Sequence, residues 1–187
     1  MRSARMRWTG ERDTAGKPVK VRVLRPGSKT KQAIRDREVM VRIDQAARAL
    51  GPEVWATITI LRRTGMHGSS LCDLRESSVG AGVLSWTRPK TGRRMAIRVD
   101  GELAAALAIA FKEGPRSYDA YYKRVRQAGR HAGIRGLSPM TFRHTRAVNL
   151  LLRGVSPVKV CQVLGCSMSV LLRHYGVMSD DELLEAG

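Results

Sequence analysis

The segment from Leu137 to Tyr175 carries the clearest helix start and stop signals in this chain. Serine followed by proline is a typical helix start, because serine caps the N-terminus and proline fits the first turn. Glycine is a typical stop, since it accepts the left-handed conformation that often ends a helix. The signals occur, in order, at Ser138-Pro139, Gly154, Ser156-Pro157, Gly165 and Ser167. They predict three short helices in series, with Tyr175 on the third.

The residues before this segment predict further helices on either side of a small hairpin. The hairpin is indicated by two alternating runs that flank the turn sequence Pro89–Arg93. One helix, over 53–63, is rich in β-branched residues that would also suit a strand, and its length favours the helix. The expected elements are helices over 36–50, 53–63, 101–112 and 118–132, and strands over 83–88 and 94–99. This order predicts an α+β fold, mostly helical, with a small antiparallel sheet.

The charge of the chain points to a polyanionic partner. Among 187 residues, 34 are Lys or Arg and 16 are Asp or Glu, so the net charge is +18. Nucleic acid is the commonest partner of such a protein, although a solvated basic surface or a basic ribosomal-type protein has the same composition. An apolar content of 43% is sufficient for a folded core.

Residues 1–37 differ from the rest of the chain in charge and patterning. They contain twelve Lys or Arg and three acidic residues, a net charge of +9. The alternation of residues 17–25 indicates a short strand, and the remainder shows no period. Two interpretations are compatible here: a tail without fixed structure, or an arm that follows the phosphate backbone and orders on DNA.

The cysteines and the hydropathy pattern exclude several other classes of protein. Cys72, Cys161 and Cys166 form no C-x-x-C motif and have no histidine at ligand spacing, so neither a metal site nor a disulfide framework is expected. No apolar run approaches the ~18 residues of a membrane span, and no secretory leader follows Met1. We expect a cytoplasmic protein without a membrane partner or a small-molecule substrate.

Several motifs, taken in order, resemble the catalytic domain of the tyrosine recombinase (phage integrase) family. R-H-T at 143–145, L-G-C-S at 164–167 and Tyr175 resemble its C-terminal half. TGMHGSSLCDLRESSV over 64–79 and RPKTGRRMAIRV over 88–99 resemble its earlier motif and its hairpin. The resemblance covers roughly residues 38–178, and it is specific because four weak motifs occur in the right order.

This resemblance implies a mechanism and the residues that would perform it. In the family a tyrosine, here Tyr175, attacks a DNA phosphate and forms a 3′-phosphotyrosyl link. Arginines, here Arg143, hold the phosphate oxygens, and a hairpin lysine, here Lys90, protonates the leaving oxygen. Neither a metal nor another cofactor takes part.

Three family positions are occupied by other residues in this chain. His67 stands where the family has its first arginine, Met140 replaces a histidine, and Cys166 replaces a second histidine or a tryptophan. Histidine lacks the bidentate fork of arginine, methionine transfers no proton, and a thiol is a weak donor. Arg62 or Arg63 could substitute for the missing arginine, and Arg63 is expected on the same helix face as His67.

The resemblance also implies a partner and a domain organisation. The partner is double-stranded DNA, bound by a homo-oligomer in the cytoplasm of a bacterium or archaeon, or by a phage-encoded protein. The expected DNA contacts are Arg62, Arg63, Lys90, Arg93, Arg94, Arg143 and His144. Removing Arg143 is expected to weaken DNA binding with little change in melting temperature. The predicted parts are a basic arm over 1–37, an integrase-like domain over 38–178 and a tail helix over 179–187.

Three functions remain open at this point. The first is a catalytically inactive DNA-binding protein that regulates or assists a mobile element. The second is an active site-specific recombinase that uses Tyr175. The third is a basic RNA-binding or structural protein.

Overall fold

A computed structural model of the chain describes residues 7–12, 18–21 and 33–175, with side chains over 33–172. The chain divides into two compact units, Met1–Thr30 and Lys31–Gly187. In the first unit, strands β1 (Arg7–Arg12) and β2 (Pro18–Val21) form an antiparallel hairpin. Strand β2 lies within the predicted 17–25 strand, whereas the sequence does not predict β1.

The described part of the second unit is mostly helical and contains one small sheet. Its helices are α1 (Arg37–Leu50), α2 (Pro52–Thr64), α3 (Gly68–Cys72), α4 (Gly101–Glu113), α5 (Tyr118–His131), α6 (Pro139–Leu152), α7 (Pro157–Leu164) and α8 (Met168–Tyr175). Its strands are β3 (Val79–Gly80), β4 (Val83–Thr87) and β5 (Arg94–Arg98), preceded by a 3-10 turn at Glu76–Ser78. The predicted α+β fold with a small antiparallel sheet is confirmed.

Helix α2 is the centre of this unit. It packs against α1, α4, α5 and α6, so apolar side chains are required on most of its circumference. Ile58, Ile60 and Leu61 are at most 1% exposed. The β-branched residues that could have formed a strand therefore serve a helix that is buried on several sides.

The sheet has one buried face, which is turned toward the helices. Its strand order is β3-β4-β5, and Trp86 on β4 is paired with Met95 on β5. Leu84, Trp86 and Met95 are all buried, while the residues between them are more exposed. The period of two that predicts the hairpin thus selects which side chains face the core.

The three predicted helices of the C-terminal segment are confirmed by α6, α7 and α8. At the start of α6, the backbone N–H of Ser138 donates to Thr141 Oγ1 at 3.2 Å. Ser167 Oγ accepts from the N–H of Val170 at 3.3 Å and caps α8. These helices enclose a second, smaller apolar cluster made of Ala147, Val160, Cys161, Leu164 and Leu171.

The tail helix predicted over 179–187 lies wholly outside the described residues, and the predicted arm lies partly outside them. Ile34, in the predicted arm over 1–37, donates its backbone N–H to Thr145 Oγ1 of α6 at 2.9 Å. Within the described ranges, no helix is both long and apolar enough to cross a membrane.

Candidate functional site

The candidate site is built around Arg143, which α6 places between the ends of two other helices. Its Nη1 donates to the carbonyl of Gly65 at 3.0 Å, just after α2. Its Nη2 donates to the carbonyl of Leu164 at 2.6 Å, the last residue of α7. The residue is only 7% exposed. The buried side chain of Arg143 therefore connects α6 to the C-terminal ends of α2 and α7. These two hydrogen bonds hold its guanidinium in one position.

This burial favours a different outcome from the one expected from the sequence, that Arg143 can be removed with little change in melting temperature. Truncating Arg143 would leave the carbonyls of Gly65 and Leu164 without a charged donor inside the protein, which is costly. The neighbouring His144 is also buried, at 8% exposure, which favours a structural role for it.

Two glycines make this arrangement of Arg143 possible. Gly65 and Gly165 follow α2 and α7, and each has a φ of +62°, where glycine is favoured. Each also lies against other side chains. A Cβ atom on Gly65 would lie 2.7 Å from Cδ of Arg146, and one on Gly165 would lie 2.8 Å from Sδ of Met95. No larger residue fits either turn without displacing these neighbours.

His67 lies near Arg143 and caps the short helix α3. Its Nδ1 is 2.9 Å from Ser69 Oγ and accepts from the N–H of Ser69 at 3.4 Å. Burial lowers the pKa of His67, and the positive charges of Arg143 and Arg88 lower it further. The imidazole is therefore uncharged at neutral pH and supplies no cation at the position where the sequence resemblance puts the family's first arginine.

The proposed substitute arginines do not reach this site in the described structure. Helix α2 ends at Thr64, so His67 does not share a helix face with Arg63, and that prediction is wrong. Arg63 instead pairs with Asp100, and Arg62 pairs with Glu102 at 2.5 Å. Both side chains therefore point to the N-terminus of α4. Their predicted role as DNA contacts stays a prediction.

Met140 and Cys166, the other two residues in which the sequence departs from the family motif it resembles, also lie near Arg143 or the ends of its partner helices. Met140 is half-buried in the first turn of α6, one helical turn before Arg143. Cys166 follows Gly165 and packs against the small apolar cluster. Burial and the neighbouring Cys166 raise the pKa of the Cys161 thiol, so the two sulfur atoms are close. A thioether and a thiol offer no strong proton donor at these two positions.

The hairpin presents its basic residues around its tip. Lys90, Arg93 and Arg94 are all exposed. The backbone N–H groups of Thr91 and Gly92 both donate to the carbonyl of Arg88, which fixes the turn. All three side chains are therefore open to solvent.

Arg88 is a residue that the motif comparison missed. A Cβ atom on Gly165 would lie 2.9 Å from its Cδ, and its charge lowers the pKa of His67. A signal for it exists in the sequence: Leu84, Trp86 and Arg88 alternate, and the first two face the core. Arg88 is the next residue in this alternation and therefore faces the same side of the hairpin as Leu84 and Trp86. The hairpin thus adds a positive charge to the site.

Tyr175 is the last residue of α8, the helix that begins just after Cys166. Its place in the chain and on a helix is as predicted. The described structure thus brings Arg143, His67 and Arg88 into one region, with Cys166 following the same turn. Lys90 is at the tip of the hairpin that carries Arg88.

Several solved structures similar to this chain are those of recombinases and an integrase. XerA recombinase matches with a TM-score of 0.69 and 21% identity, over 82% of this chain and 63% of its own length. The lambda integrase catalytic core matches with a TM-score of 0.57 and 18% identity, over 72% of this chain and 91% of its own. XerH bound to its difH substrate matches with a TM-score of 0.63 and 17% identity, over 94% of this chain and 58% of its own.

These comparisons establish the fold of this chain as that of a tyrosine recombinase catalytic domain. The chain spans less than two thirds of the length of XerA and of XerH. No protein-family model matches the chain, and no curated protein matches it either.

Proposed function

We propose that this protein binds double-stranded DNA through a tyrosine recombinase fold without cleaving it, as a regulator or accessory factor of a mobile element. The observation that carries the proposal is the state of His67. It caps α3 and its pKa is lowered by burial and by two arginines, so it is an uncharged group where the family has a cation.

Three observations support DNA as the partner. The net charge of +18 favours a polyanion. Lys90, Arg93 and Arg94 form an exposed basic tip on the hairpin. Among the solved structures with this fold, XerH is bound to its difH substrate and lambda integrase to a core site, both with TM-scores of at least 0.60.

The case for lost catalysis rests on proton transfer and on charge. A tyrosine hydroxyl has an ordinary pKa near ~10, so it needs neighbouring groups to become a nucleophile. Met140 and Cys166 are poor proton donors, and His67 is uncharged. Loss of one preorganised donor typically lowers a rate by ~10²–10³. Because such groups act as a unit, the losses need not multiply, but together they remove strand cleavage.

Covalent trapping on nicked DNA tests the proposal against its first alternative. An active recombinase would leave a covalent protein–DNA band that survives denaturing gels and disappears in Tyr175→Phe. We expect no such band, and we expect Tyr175→Phe to bind DNA as tightly as the wild type, since it loses only a hydroxyl. A Tyr175-dependent band would establish the active recombinase instead.

A competition experiment tests the second alternative, a basic RNA-binding or structural protein. Labelled duplex DNA is bound first, and unlabelled duplex DNA, duplex RNA and single-stranded RNA of the same sequence are then added. We expect duplex DNA to compete best. Stronger competition by either RNA would favour the RNA-binding function. Sedimentation of the DNA complex would show in the same samples whether the protein assembles as a homo-oligomer.

A further inference from the structure

We propose that Arg88 and Arg143 together bind one phosphate group, with Arg88 as the second cation of the site in place of His67. The inference rests on the proposed function, in which that phosphate belongs to a DNA strand. A second cation restores phosphate binding but not the proton transfer that Met140 and Cys166 cannot perform, so it is compatible with binding without cleavage. It assigns a binding role to a hairpin residue for which the motif resemblance implies none.

The position of Arg88 follows from the strand pattern. Leu84 and Trp86 on β4 are 0% and 9% exposed, and both face the helices. Arg88 is the next residue of this alternating series, directly after the end of β4. Its backbone still pairs across the hairpin, because its N–H donates to the carbonyl of Arg93 at 2.9 Å. The side chain is therefore carried to the same side as the core residues.

The aliphatic part of the Arg88 side chain packs against the turn after α7. Arg143 is hydrogen-bonded to the residue that precedes this turn. The Cδ atom of Arg88 would lie 2.9 Å from a Cβ atom on Gly165, so it is in close contact with that glycine. The preceding residue, Leu164, accepts the hydrogen bond of 2.6 Å from Nη2 of Arg143. Two arginines from different elements, the β4 hairpin and α6, thus meet at two consecutive residues.

The charges of these two arginines act on the same neighbour. Both lower the pKa of His67, which places both guanidinium groups within electrostatic reach of its ring. Among the described residues, the carboxylates that form ion pairs are paired with arginines or lysines other than Arg88. Two positive charges that act on the same region attract an anion to it.

Phosphate is the anion that this arrangement fits best. A guanidinium has five N–H donors, so the two carbonyl bonds of Arg143 do not prevent it from also donating to a phosphate oxygen. Arg88 can then bind the second non-bridging oxygen of the same phosphodiester. The site requires glycine at position 165, because a larger residue there would displace the aliphatic part of the Arg88 side chain. Lys90, at the tip of the same hairpin, is exposed and can contact a neighbouring phosphate.

The first arm of the test measures binding of a short mixed-sequence duplex at several salt concentrations. Arg88→Gln should lower the affinity by about 10- to 100-fold, the usual effect of losing one charge-assisted hydrogen-bonded contact. The slope of log affinity against log salt should fall by about 0.9. Arg98→Gln is the matched control, because Arg98 is exposed on β5 of the same hairpin and has no contact with Gly165. An equal effect of the two variants would overturn the proposal.

The second arm uses inorganic phosphate and the His67 ring as its reporter, followed by NMR. Phosphate should raise the pKa of His67 in the wild type and in Arg98→Gln, because the anion offsets the two positive charges. This response should be absent in Arg88→Gln and partly retained in Arg88→Lys, which keeps the aliphatic part of the side chain and the charge. No response in the wild type, or the same response in Arg88→Gln, would overturn the two-arginine site.

The two experiments distinguish failure of the proposed function from failure of the two-arginine site. If the wild type does not bind duplex DNA but its His67 responds to phosphate through Arg88, the proposed function is wrong and the phosphate site stands. If the duplex is bound equally by wild type and Arg88→Gln, and phosphate has no effect, DNA binding stands and the two-arginine site is wrong.

Discussion

Arg143 has one role that the structure shows, in packing, and one that we propose, in phosphate binding. Its resemblance to a family phosphate-binding arginine comes from the R-H-T motif, which is visible in the sequence. Its structural role is not visible there, because its carbonyl partners are 78 and 21 residues away in the chain. A buried arginine with such partners is costly to remove whether or not DNA is present.

The first residue-scale prediction therefore concerns stability. Arg143→Ala should lower the free energy of unfolding by about 2–4 kcal/mol, because two buried carbonyl groups lose a charged donor. Urea denaturation measures this. Arg98→Ala, a change at an exposed position, should stay within about 0.5 kcal/mol of the wild type. Equal stabilities of wild type and Arg143→Ala would show that the two carbonyl contacts contribute nothing.

The second residue-scale prediction concerns the pH dependence of stability at His67. Its pKa in the folded protein is lowered, mainly by burial, so the unfolded chain binds a proton more readily. Stability should therefore fall as the pH drops below about 6.5, the ordinary pKa of histidine. NMR titration of the ring should place its midpoint below that value.

The variant His67→Asn provides the control for this pH effect. Asparagine keeps an acceptor that can cap α3 but does not titrate. Its free energy of unfolding should change less between pH 7 and pH 5 than that of the wild type. A His67 midpoint at or above the ordinary value would mean that the ring is neither buried nor near two positive charges.

At the scale of elements, sequence signals are most reliable where backbone chemistry decides the outcome. Serine, proline and glycine place α6, α7 and α8 because caps and left-handed turns depend on local residues. The five residues of α3 and the two of β3 are too few to show a period, so the sequence predicts neither. Helix α2 is predicted correctly even though its composition also suits a strand, since its length favours a helix.

The element-scale prediction concerns the turn after α7. Gly165 and Gly154 both follow helices with positive φ, +62° and +73°, but only Gly165 has neighbours within 4 Å of the methyl group that alanine would add. Gly154→Ala should cost about 1–2 kcal/mol from the backbone conformation alone. Gly165→Ala should cost about 1–3 kcal/mol more, because the methyl group would displace Met95 and Arg88.

Thermal or urea unfolding of the two glycine variants measures this difference. Because the backbone cost is shared, their difference reports the close approach of the hairpin to α7. If Gly165→Ala and Gly154→Ala are equally stable, then the hairpin is not held against this turn. The meeting of Arg88 and Arg143 there would lose its geometric basis.

At the scale of the whole molecule, charge is unevenly distributed along the chain. Residues 1–30 contain nine Lys or Arg and two acidic residues, a net charge of +7 out of +18. Ile34 contacts α6 and Asp36 caps α1 at 2.7 Å, so a truncation that keeps the helical unit intact should end before them. Deletion of residues 1–30 therefore removes their positive charge while leaving the helical unit intact.

The whole-molecule prediction is that this deletion weakens DNA binding and flattens its salt dependence. If the full chain neutralises ~6–10 phosphates, its affinity should fall by ~10³–10⁵ between about 50 and 200 mM salt, and the truncated chain should lose less. A full-length variant with the nine basic residues of 1–30 changed to glutamine should behave like the deletion, because charge rather than chain length sets the slope. The melting temperature of the helical unit, measured in parallel, should be unchanged by the deletion. An unchanged slope in both variants would show that the phosphates are held by the helical unit alone, through residues such as Lys90, Arg93 and Arg94.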